Sequence, residues 1–176
     1  MRPRLTHEEA EKIRKAWPKE LKLSRLEISL MVLSALMLLV PLVHLVLVYG
    51  DLPAQMPAHY TDVGVVDAYK SKRTLLLWAG GAAFICLIAW TENFSLQFMD
   101  LPDALLKRPA EQIIHGFRLT LNVSNIACMG MFGYIIESKL ALAMGTITTT
   151  HDNVLWLPVF VMLAACITHF VWLWRT

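Results

Sequence analysis

Two groups of residues in this chain have the types and spacing to do chemistry. The first is a polar stripe inside an otherwise apolar run. His115, Arg118, Asn122 and Asn125 fall at i, i+3, i+7 and i+10, one face of a helix. Glu111 extends that stripe by a turn, and Thr120, Ser124 and Cys128 form a second one. His169, near the end of the last apolar run, should lie at a similar depth to Arg118 and Asn122. Polar side chains in such a run either hydrogen-bond between helices or line a pocket. Glu111-x-x-x-His115 sets a carboxylate beside an imidazole, but no second histidine completes a metalloprotease motif.

The second group lies in a loop of 23 residues, 51–73, where His59, Tyr60, Asp62, Asp67, Tyr69 and Lys72 collect donors, acceptors and aromatic faces. Pro53 and Pro57 bias their preceding residues toward extended geometry, and Gly64 supplies a turn position. One imidazole and two carboxylates are a thin signature for zinc, so no metal is assigned. The loop suits a peptide- or lipid-binding surface made by His59, Tyr60 and Tyr69, with Asp67 and Lys72 beside it. It suits better a loop whose His59, Asp67 and Lys72 hydrogen-bond its own backbone and cap a helix end. No nucleophile elbow, phosphate loop or zinc-protease motif is present, so no catalytic residue and no cofactor are assigned.

The elements that must position these groups are membrane helices. Hydrophobic residues make up 56% of the 176-residue chain and charged residues 17%, against about a quarter charged in soluble domains. Mean hydropathy is +0.51. Four charge-free runs, Ile28 to Gly50, Thr74 to Thr91, Leu119 to Ile136 and Val154 to Trp174, approach the roughly 17–25 residues a bilayer core requires. Lipid leaves backbone polar groups to be satisfied internally, so the runs should be helices. The expected fold is an all-α integral membrane protein, a four-transmembrane-helix bundle with an N-terminal amphipathic helix and a structured outer loop.

Twelve of the sixteen Lys and Arg fall on one side of such a bundle if both termini share it. The positive-inside rule then makes the protein multi-pass, with cytoplasmic N and C termini. The chain divides into a cytoplasmic amphipathic helix (1–25), a two-helix unit with the outer loop (26–92), a cytoplasmic loop (93–118) and a second two-helix unit (119–176). In the first of these, Thr6 and Glu9 have capping-box spacing, and Ala10, Ile13 and Trp17 share a face. The three cysteines, Cys86, Cys128 and Cys166, sit in apolar runs and read as small hydrophobes. A formal charge of +2 gives no reason to expect nucleic acid.

The loop carries a recognisable pattern: Leu52-Pro53-x-x-Met56-Pro57-x-His59-Tyr60, then Gly64-x-Val66-Asp67-x-Tyr69-x-Ser71-Lys72. It resembles the bacterial membrane domain of unknown function 1648, found in SdpI-like immunity proteins. Thr61, Val65, Ala68 and Lys70 depart from the usual pattern of that domain. The resemblance implies a bacterial cytoplasmic membrane protein that protects against a secreted peptide by intercepting it at the outer surface.

The expected function is therefore non-catalytic: binding or sensing a ligand at the outer loop through His59, Tyr60, Asp67, Tyr69 and Lys72. Two alternatives stand beside it. One is an accessory subunit of a larger membrane complex or transporter. The other is a membrane enzyme using an inner-leaflet pocket of His115, Arg118, Asn122, Asn125 and His169. Expected partners are membrane lipid, a secreted peptide or a larger membrane protein. Gly80-Gly81 and Gly130-x-x-Gly133 would let helices approach closely, within the chain or in a homo-oligomer.

Overall fold

The computed structural model describes residues 7–15, 21–60, 66–98, 108–148 and 152–174. Among the described residues five α-helices and one β-hairpin follow in order: α1 (His7–Lys15), α2 (Arg25–Val48), β1 (Gln55–Tyr60), β2 (Val66–Ser71), α3 (Arg73–Ser95), α4 (Ala110–Ala143) and α5 (Trp156–Trp174). Four helices among the described residues are long and apolar enough to cross a membrane: α2, α3, α4, and α5 with its preceding turn. The chain is a multi-pass, mainly helical membrane protein. In α1 the exposed Glu8 and Lys12 pair at 3.1 Å. Thr6 and Trp17, expected in its cap and apolar face, lie outside the described residues.

α4 is the centre of the bundle and packs against α2, α3, α5 and β1. At 34 residues it is about 50 Å long, well over a hydrocarbon core of about 30 Å. It therefore starts nine residues ahead of its charge-free run, so His115 and Arg118 are helical. At the far end Gly145, with φ +72°, closes it in a Schellman turn, Thr146 N–H donating to Ala141 C=O at 2.9 Å.

α2 starts at a capping box: Glu27 N–H donates to Ser24 Oγ at 3.2 Å, and Ser24 N–H donates to Glu27 Oε2 at 2.6 Å. Its buried stripe is Glu27, Met31, Ser34, Leu38, Pro41 and Leu45, a helical period that apolarity alone does not reveal. Pro41 has no N–H for the Met37 carbonyl one turn back. That carbonyl faces Gly133, where a β-carbon would stand 3.4 Å from the oxygen. Gly130 meets the Met37 side chain in the same crossing, so the Gly130-x-x-Gly133 pair packs α4 onto α2 within one chain. Gly80 and Gly81 have open space around them instead.

The loop between α2 and α3 folds as an antiparallel hairpin, pairing Gln55 with Ser71, Met56 with Lys70 and Pro57 with Tyr69 before the register becomes irregular. Lys72 N–H donates to Ala54 C=O at 3.1 Å. Counting the alternation from that bond puts Pro57 at a non-hydrogen-bonded position, where its missing N–H breaks nothing in the ladder. The hairpin packs on the bundle through Leu52 and Met56, buried with Leu45, Leu75, Ile136 and Leu140. Deeper, Leu38, Ala82, Cys86, Met129 and Phe132 form a second apolar cluster.

Candidate functional site

The structure builds a different kind of site at each end of the bundle. At the end where α2 and α4 begin, Arg118 is 1% exposed. Its Nε donates to Asn93 C=O at 2.7 Å, and its guanidinium also donates to Leu21 C=O at 3.1 Å. Asn93 and Asn122 bond each other through both amides, at 3.2 and 2.9 Å. Asn125 Nδ2 donates to Ser34 Oγ at 3.1 Å, which also accepts from Trp90 Nε1 at 3.3 Å. His115 Nδ1 lies 2.8 Å from Oε1 of Glu27, a carboxylate only 2% exposed. This cluster joins α2, α3 and α4 through groups that bond one another.

The stripe read from the sequence thus comes together at His115, Arg118, Asn122 and Asn125. His169 does not join it. It stands on the opposite flank of α4, its ring 4.6 Å from Phe117 and a β-carbon's position at Gly116 only 2.7 Å from its Cε1. Its buried Nε2 has no partner among the described residues. Nearby, Arg108 stacks 4.1 Å over Trp172 and donates to that residue's carbonyl at 2.6 Å, pinning the end of α5. Sequence reading missed Glu27, Asn93, Ser34 and Trp90. Glu27 served only as the edge of a charge-free run, although a membrane-depth arginine and histidine must find acceptors among the nearest helix ends.

At the other end, Lys72 is a scaffold residue. Its Nζ donates to Tyr49 C=O at 2.9 Å and Leu52 C=O at 3.1 Å, over the Tyr49 ring at 4.7 Å. It caps the carbonyl end of α2, where a cation also favours the helix dipole. Tyr69 is 59% exposed, opposite Pro57 on the hairpin face turned from the bundle. Asp67 is exposed too, at the irregular part of the register. His59 and Tyr60 belong to β1, and their side chains lie outside the described residues. His44 Nδ1 bonds Glu137 Oε2 at 2.7 Å between α2 and α4.

Beneath the hairpin a groove of about 530 Å³ opens between β1, β2, α3 and α4. Met56 and Lys70, directly paired, share one hairpin face; Met56 is buried, so this face looks onto the bundle. Trp78 and Phe132, with centroids 6.1 Å apart, form the groove's aromatic floor. Lys139 of α4 joins Lys70 at the rim, with the hydroxyls of Ser71 and Thr74. Leu77, 76% exposed, marks the side open to lipid. Among the described residues no three His, Cys, Asp or Glu side chains converge as metal ligands do.

Fold and groove together define a multi-pass membrane protein with an amphipathic cleft at one end. Residues 36–83 match the family model of a domain of unknown function, DUF1648, so the chain contains that domain. No curated protein and no solved structure matches the chain. The matched segment runs from the middle of α2 through the hairpin to the middle of α3. It supplies every groove residue except Phe132 and Lys139, and none of Glu27, Ser34, Trp90, Asn93, Arg118, Asn122 or Asn125.

Proposed function

We propose that this chain is a non-catalytic binding or sensing protein of a bacterial cytoplasmic membrane. Both termini are cytoplasmic in this reading, and a ligand seats at the outer surface in the groove beneath the hairpin. The groove is the observation that supports it. Its volume of about 530 Å³ lies within the roughly 300–1,000 Å³ of small-molecule sites. It combines an apolar floor with a few polar groups at the rim and is built almost wholly by the matched domain. In the polar cluster at the opposite end most groups bond one another, Asn125 Oδ1 being buried without a partner among the described residues. The Lys and Arg distribution supports the orientation.

The immunity form of this reading, capture of a secreted peptide, draws on the hairpin motif's resemblance to SdpI-like proteins. It requires that expression alone protect a toxin-sensitive host. An accessory subunit would instead co-purify with a recurring larger partner.

Gly81→Trp tests the reading. A β-carbon at Gly81 meets nothing within 4 Å, so the indole fills the groove without entering the core. Native mass spectrometry after mild-detergent extraction should find a peptide or lipid on the wild type and not on Gly81→Trp, at equal thermal stability. The same bound mass on both proteins overturns the groove as the site.

A further inference from the structure

The geometry points to an anionic phospholipid as the ligand of the groove, its headgroup phosphate between Lys70 and Lys139 and an acyl chain lying over Trp78 and Phe132. The inference rests on the binding reading above and names the ligand's class.

Charge carries the first half. Lys70 and Lys139 line the rim, and neither ammonium group has an ion-pair or hydrogen-bond partner among the described residues. The acidic neighbours are directed elsewhere. Glu137 bonds His44 at 2.7 Å, and Asp67 is not among the residues lining the groove. Ser71 and Thr74 add hydroxyls at the same level. Two ammonium groups with no carboxylate among the groove's described lining residues select net negative charge, because a zwitterionic headgroup brings its own cation to the same place.

Depth carries the second half. From Arg73, where α3 starts, to Gly81 is about 12 Å along the axis, and from Lys139 to Phe132 is about 10 Å along α4. Half a hydrocarbon core is about 15 Å. The groove therefore runs from headgroup level into the acyl region, with cations at the shallow end and aromatic and aliphatic walls at the deep end. Leu77, exposed to lipid, marks a side through which a chain can slide in without leaving the bilayer. A soluble anion would use only the rim.

The test titrates detergent-solubilised full-length protein with phosphatidylglycerol or phosphatidylcholine and reads bound lipid by native mass spectrometry. Lys70→Gln and Lys139→Gln remove the rim charges. Arg73→Gln removes an exposed charge at the same level that does not line the groove. One phosphatidylglycerol should bind in preference to phosphatidylcholine. Each lysine variant should weaken it about fivefold, the size expected for one cation at an anionic lipid surface, while Arg73→Gln leaves it unchanged. Equal weakening by Arg73→Gln, or no weakening by either lysine variant, overturns the proposal. So does displacement by millimolar inorganic phosphate, which would leave no role for the acyl chain. If Gly81→Trp abolishes binding of phosphatidylcholine or a peptide but phosphatidylglycerol shows no preference, this inference fails and the groove stands. If Gly81→Trp changes no binding at all, both fail. Should Gly81→Trp not fold, the surface lysine variants still decide the lipid question.

Discussion

Asn93 and Asn122 face each other between α3 and α4 and exchange two amide hydrogen bonds, both side chains being fully buried. Asn122 sits one turn from Arg118 and one turn from Asn125 on α4, so the pair is the middle of a polar seam rather than an isolated contact. A seam of this kind holds three helices together where lipid supplies no hydrophobic force between them. It also fixes the frame on which the hairpin end is built.

The two amides should act as one unit rather than as independent contributors. Asn122→Ala leaves the Asn93 amide short of a partner, and the loss expected is about 1–2 kcal/mol, at the upper end of interhelical hydrogen bonds in membranes. The double variant Asn93→Ala with Asn122→Ala should fall short of the sum of the singles. A double-mutant cycle by reversible unfolding in mixed micelles measures the coupling.

Glu27 does two jobs, accepting from Ser24 N–H at 2.6 Å and bonding His115 at 2.8 Å. Glu27→Gln keeps an acceptor for Ser24 N–H and should cost less than Glu27→Ala, which loses that half of the capping box, leaves the residue 27 N–H on Ser24 Oγ, and strands the imidazole as well. Thermal denaturation of the two variants gives the order.

Glycine positions separate cleanly. Gly133→Leu forces a side chain against the Met37 carbonyl and Pro41, only 3.4 and 3.5 Å from where its β-carbon would stand. Overpacking of that kind costs about 1–3 kcal/mol. Gly80→Leu projects into open space and should leave the melting temperature unchanged. Gly116→Ala must push the His169 ring aside, and a histidine side-chain NMR signal should report the shift.

The neighbouring lysines should differ. Lys72→Met loses two carbonyl partners and the Tyr49 ring, so it should lower stability by about 1.5–3 kcal/mol, the range for a bond from a charged donor. Lys70→Gln removes no bond and should leave stability within about 0.5 kcal/mol. Denaturation curves of the two variants check both.

Span number, helical class and the His115–Asn125 stripe were legible in the sequence because bilayer length and helical period are written in charge-free runs and spacing. The hairpin was less so. Pro53 and Pro57 announce extended backbone, but pairing Met56 with Lys70 depends on a register that one strand cannot declare. The buried face of α2 was also hidden: in lipid the outside is as apolar as the inside, so Ser34 and Pro41 rather than leucines mark the interior. His169 misled because depth along α5 says nothing of which flank of α4 it meets. The groove itself was illegible, since Lys139 and Phe132 come from a helix about sixty residues beyond the hairpin motif.

The most direct test of the whole account sets groove against seam. Wild type, Gly81→Trp and Asn122→Ala would be purified alike and measured for both melting temperature and retained ligand. The account predicts that Gly81→Trp loses the ligand at wild-type stability, while Asn122→Ala melts earlier and keeps it. Ligand loss from Asn122→Ala at unchanged stability, with Gly81→Trp still loaded, would contradict it and move the site to the opposite end of the bundle.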